Sequence, residues 1–132
     1  MLIRRRPVVR TLQESSGDTP AGFSHQHLHL IPTGLGHLRN ALVARADAVI
    51  AIGGGAGTLT EIALAWLYRR LIVALRVDGW SGELADRRVD ERIRHPTIPD
   101  DRVFGASDAT EAVGIVSMRI ESYARSEIRT AR

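Results

Sequence analysis

The sequence predicts an α/β fold, a Rossmann-like parallel sheet with flanking helices. Three observations lead there. Residues 48–52 (AVIAI) and 71–77 (LIVALRV) are continuous, β-branched apolar runs, the pattern of parallel strands covered on both faces. A helical pattern at 58–70 separates them. A glycine-rich segment joins the first run to that helix. Strands alternating with helices favour a parallel sheet.

The elements follow in order. Residues 7–12 read as a short strand and 14–24, rich in Gly, Ser and Pro, as a loop. Residues 27–31 alternate weakly, as in a strand, before Pro32-Thr33-Gly34 breaks the pattern. Leu35, Leu38, Leu42 and Val43 give 35–46 a helical spacing. In the 58–70 helix, Leu59, Ile62, Ala63, Trp66 and Leu67 share a side, and Arg69-Arg70 sit at the negative end of the dipole. Residues 78–82 (DGWSG) read as a loop, 83–94 as a charged stretch and 95–101, with two prolines, as irregular. A short strand is expected at 103–104. Asp108-x-x-Glu111 is a capping box opening a last helix that runs to about Tyr123.

The length of 132 residues suits one domain, 1–132, with 1–25 its least regular part. Apolar residues make up 44 %, enough to bury a core, and there is no cysteine, which excludes disulfides and thiolate metal sites. No apolar run approaches the roughly 20 residues that span a membrane. MLIRRRPVVR lacks the apolar core of a signal peptide, so a cytoplasmic location is expected. The net charge of +3 fits a solvated surface or an anionic small ligand at least as well as nucleic acid, and the low aromatic content of 5 % argues against a base-stacking platform.

The segment AIGGGAGTLTE, at 51–61, carries the functional question. It falls at the carboxyl edge of a parallel sheet, where open α/β folds bind ligands. Gly53, Gly54, Gly55 and Gly57 let backbone approach an anion. Thr58 adds a hydroxyl, and the helix start favours negative charge. It is neither a Walker loop nor a conventional dinucleotide fingerprint. The same residues also read as a capping box, Thr58-x-x-Glu61, that closes only its own helix.

GGGAGTLTE resembles the GGxGTxxE motif of the Lonely-guy-type proteins, which share a Rossmann-like superfamily with molybdenum cofactor carriers. The resemblance extends through PTGLGHLRNALVARADAVIAI and LIVALRVDGW, over residues 31–80 and more weakly 103–116. It implies that Gly54, Gly55, Gly57 and Thr58 cradle a phosphate. In the family's phosphoribohydrolases a glutamate and an upstream arginine cleave the N-glycosidic bond of a nucleoside 5′-monophosphate. Glu61 and Arg39 match those residues, Arg39 after a one-residue gap. The hydrolase motif begins with proline, however, and Gly53 stands there. Family members also open with an additional βαβ unit, which this sequence is expected to lack before Pro7.

The remaining candidates divide between site and scaffold. Thr33-Gly34 reads as a second anion loop, and Asn40 beside Arg39 as a ligand contact or part of a solvated helix face. His25, His27 and His29 alternate, which fits a solvated strand edge better than a metal site. Trp66 and Trp80 read as packing residues, and Asp78 as a weak polar contact at the strand end. The expectation is therefore a carrier or binding protein for a phosphorylated nucleotide or molybdopterin-type cofactor, assembled as a homodimer or larger. A nucleoside-monophosphate phosphoribohydrolase is the first alternative and a non-binding remnant the second. No membrane and no specific nucleic acid is an expected partner, and no metal site is expected.

Overall fold

The computed structural model describes residues 8–9, 28–29 and 39–130. The element order is β1 (Val8–Val9), β2 (Leu28–His29), α1 (Arg39–Val43), β3 (Ala48–Ala51), α2 (Ala56–Leu67), β4 (Leu71–Leu75), α3 (Trp80–Leu84), β5 (Phe104–Ala106) and α4 (Ala109–Thr130). β1 and β2 form a parallel pair. The main sheet has the order β3-β4-β5 and is parallel throughout, with Ala48 opposite Leu71 and Val73 opposite Phe104. The chain is thus α/β and Rossmann-like. Among the described residues no helix is long and apolar enough to cross a membrane.

Side-chain alternation sorts the core into two layers. Val49, Ala51, Ile72 and Ala74 point to the side of α2, where Ile62, Ala65 and Trp66 meet them. Leu71, Val73, Phe104 and Ala106 point the other way, onto Ala112 and Tyr123 of α4. β4 is the central strand, and Leu71 to Ala74 are fully buried. Each such large aliphatic side chain contributes about 1.5–3 kcal/mol by leaving water.

Several boundaries differ from the sequence pattern. β3 is not covered on both faces, because Ile50 is 40 % exposed and Ile52 beyond it 65 % exposed among the described residues. α4 covers Ala48 but not these two. α2 starts at Ala56 and ends at Leu67, not at 58 and 70. Its end is a Schellman turn in which the Arg70 amide donates to Ala65 O and the Arg69 amide to Trp66 O (2.9 and 3.0 Å). Arg69 takes the left-handed position, φ 61°, that glycine usually marks, so no sequence signal announces the stop. Leu67 falls on the exposed side and Ala65 takes its place in the core. α1 is described only from Arg39, and Leu42 is exposed.

The end of the chain follows the pattern more closely. The Glu111 amide donates to Asp108 Oδ1 (2.8 Å), as a capping box requires, but the Glu111 carboxylate accepts from the Ser107 amide (2.6 Å), one residue further back. α4 continues to Thr130 rather than stopping near Tyr123.

Candidate functional site

β3 ends at the carboxyl edge of the sheet, and the chain turns there through two left-handed glycines. Gly53 has φ 58° and Gly54 φ 86°. A Cβ on Gly54 would lie 1.9 Å from Thr58 Oγ1, so only glycine leaves room for that hydroxyl to fold back over the turn. Gly55 is the N-cap of α2 and supplies no side-chain cap. Gly54, Gly55 and Gly57 are exposed, and a Cβ on Gly55 or Gly57 would meet nothing within 4 Å. The loop therefore presents the amino end of a 12-residue helix on an open surface at the sheet edge. This is geometry suited to an anion.

The capping-box reading of Thr58 and Glu61 fails. α2 begins two residues earlier, so Thr58 is inside its first turn and is not the N-cap. The hydroxyl that bonds backbone here is that of Thr60, which donates to Ala56 O (2.9 Å) one turn back. Glu61 is half-buried on the second turn of α2. α1 packs against α2 and so brings the segment carrying Arg39 and Asn40 beside the helix that carries Glu61. Arg39 opens α1, with its side chain outside the described residues. Asn40 is only 2 % exposed, which excludes the solvated helix face for that residue. Thr33, Gly34, His25 and His27 lie outside the described residues, as does the side chain of His29 in β2.

At the same edge lies a second turn, where the sequence pattern marks only a loop. α3 starts inside it, at Trp80, because Gly79 (φ 107°) redirects the chain. The Trp80 amide donates to Gly54 O (3.0 Å) and the Ser81 amide to Gly53 O (3.1 Å). Ser81 is fully buried. The sequence shows it only as a small residue two positions after Gly79, in the segment beyond β4. Trp66 is a packing residue, 1 % exposed, with its Nε1 donating to Asp90 (3.0 Å) and Arg94 stacked over its ring (3.6 Å). Trp80 departs from that expectation and is 39 % exposed at the edge beside the glycine loop.

Beyond Gly79 lies an open cleft of about 350 Å³, lined by Arg76, Asp78, Gly79, Glu83 and Asp86 among others. Arg76 grips Asp86 through Nε and Nη2 (3.0 and 2.8 Å) and donates through Nη1 to Ser107 (3.2 Å). Asp86 also accepts from the Gly105 amide (3.0 Å). Partial burial raises its carboxyl, but these hydrogen bonds and the nearby arginine charges outweigh that and hold it below the ordinary carboxylate value.

The comparisons with known proteins agree with this architecture. The SLOG cluster4 family model matches residues 13–113. An uncharacterized protein of Archaeoglobus fulgidus is 40 % identical over 47 residues, which are 35 % of this chain and 31 % of that protein. The X-ray structure of TM1055, a structural genomics target, is similar with a TM-score of 0.54 at 26 % identity, over 74 % of this chain and 59 % of the other. The chain thus spans less than two thirds of either relative. A match over most of its length, joined to this sheet and its glycine turn, means that the chain belongs to the SLOG cluster4 family, in the SLOG/Lonely-guy superfamily.

Proposed function

We propose that the chain binds a phosphorylated small molecule, a nucleotide or a molybdopterin-type cofactor, and acts as a carrier or binding protein. The phosphate sits against Gly54, Gly55, Gly57 and Thr58. The family resemblance adds Thr33, Gly34, Arg39 and Asn40 as further candidates for holding it. The observation that supports this best is the pair of left-handed glycines, which brings the uncapped start of α2 to the carboxyl edge of the sheet.

Gly53 favours the carrier over the hydrolase. Proline is confined to φ near −65°, whereas Gly53 holds φ 58°. Its amide also donates a hydrogen bond, to Ser81 Oγ at 2.7 Å, and proline has no N–H. The proline-led loop of the hydrolases therefore cannot take this conformation. The hydrolase reading draws on Glu61 and Arg39, carried by two helices in contact. There Glu61 would stabilise the oxocarbenium-like centre and Arg39 the phosphate or ribose. Incubation with several nucleoside 5′-monophosphates, with free base quantified, separates the two. The carrier releases none. Base release by the wild type that disappears in Glu61→Gln would establish the enzyme instead.

A further inference from the structure

The glycine turn is held from behind by one buried hydroxyl. Ser81 Oγ accepts from the Gly53 amide (2.7 Å) and donates to Leu75 O (2.8 Å), while the Ser81 amide donates to Gly53 O (3.1 Å). Ser81 thus bonds both backbone polar groups of Gly53 and anchors them to the last residue of β4. Gly79 closes the same junction. A Cβ there would lie 2.7 Å from Gly54 O and 2.8 Å from Gly54 N, so the two turns touch backbone to backbone. All these contacts are on the inner side of the turn and leave Gly54, Gly55 and Gly57 exposed.

We propose that Ser81 is a positioning residue that sets the conformation of the Gly53–Gly55 turn and so the direction in which α2 presents its first amides. The functional part of this inference rests on the phosphate-binding reading above. A left-handed glycine has several backbone states available, so something must select one. Here a buried hydroxyl with two partners does so. Such a bond is costly to break because its partners are left without solvent. The arrangement requires an N–H at position 53 and is closed to any chain with proline there.

The test compares amide hydrogen exchange in the full chain for wild type, Ser81→Ala and Ser81→Cys, with and without adenosine 5′-monophosphate. The cysteine variant fills the site with a slightly larger group that hydrogen-bonds more weakly. Both variants should exchange at least about tenfold faster at the Gly53 and Ser81 amides, with β4 and α4 protected as in wild type, and should bind the nucleotide at least about tenfold more weakly. Unchanged exchange at the Gly53 and Ser81 amides, acceleration spread equally over β4 and α4, or unchanged nucleotide affinity in both variants would overturn the assignment. A wild type that does not respond to the nucleotide would overturn the phosphate reading and the functional part of the inference with it. The exchange comparison without ligand would still decide whether Ser81 sets the turn.

Discussion

Arg94 and Asp101 form a two-pronged ion pair, Nε to Oδ2 at 2.9 Å and Nη2 to Oδ1 at 2.6 Å, with each side chain 4 % exposed. Arg94 Nη1 also donates to the carbonyls of Trp66 and Arg70 (3.1 and 3.2 Å), and Tyr123 donates to Asp101 (2.5 Å). Burial, then the bond to Asp101, push the Tyr123 phenol well above its ordinary range. The pair therefore ties the irregular stretch after α3 to the end of α2 and to α4. Removing one partner leaves the other charged and buried. Arg94→Met is expected to cost about 3–5 kcal/mol in denaturant unfolding. It should not alter nucleotide affinity of the folded fraction, because the glycine turn is at the opposite end of α2. A loss below about 1 kcal/mol would contradict the role given to the pair.

His95 makes stability depend on pH. Its Nε2 faces Arg69 O (2.9 Å), its Nδ1 faces Ser126 Oγ (2.8 Å), and Tyr123 packs edge-on at 4.7 Å. Burial lowers its pKa below the ordinary 6.5, against the opposing pull of the Arg69 carbonyl and Asp101. The unfolded chain then binds more protons than the folded one as pH falls past 6.5. The stabilisation is complete above that value and is lost progressively below it. Thermal melts from about pH 8 to 5 should show a falling midpoint in wild type and a flatter profile in His95→Gln. Parallel profiles would contradict the assignment.

Gly54 and Gly57 should respond in opposite ways. At Gly54, Ala meets Thr58 Oγ1 and a left-handed backbone, so Gly54→Ala should lower stability by about 1–3 kcal/mol and weaken nucleotide binding. Gly57 lies within α2, has no positive φ and has open space where a Cβ would go. Gly57→Ala should therefore raise stability by about 0.5–1 kcal/mol, while Gly57→Val should block the ligand without unfolding the protein. Calorimetric titration and melts of the three variants check this. Equal nucleotide affinity in wild type and Gly57→Val would remove the loop from the site.

The strands and the glycine turn were legible because each rests on a local property. β-branched runs mark β3 and β4, glycines mark the turn, and Asp108 with Glu111 marks the start of α4. What was not legible depends on contacts between distant segments. Thr58 has the right neighbours for a cap, yet α2 starts at Ala56 because the left-handed Gly53 and Gly54 complete the turn sooner. Arg69 stops α2 without a glycine. Ser81 gains its role only when the second turn closes on the first, and Arg94 and His95 become buried only when their segment folds under α2 and α4.

Exposed apolar residues support self-association. Among the described residues, Ile50 and Ile52 are exposed on and beyond β3, and Leu42, Leu67 and Tyr68 on or beside the packed pair α1 and α2. Apolar surface of this kind drives association. Light scattering at micromolar concentration is expected to give a dimer or larger. A monomer that unfolds cooperatively would contradict this.

We propose that the turn after β3 holds a phosphate without cleaving the ligand. Backbone amide shifts of the full chain, followed while adenosine or guanosine 5′-monophosphate or inorganic phosphate is added, test it most directly. Saturable shifts are expected, largest at the amides of Gly54, Gly55, Ala56, Gly57 and Thr58, with no free base formed over the titration. Shifts absent from those amides for every added phosphate, or release of free base, would contradict it.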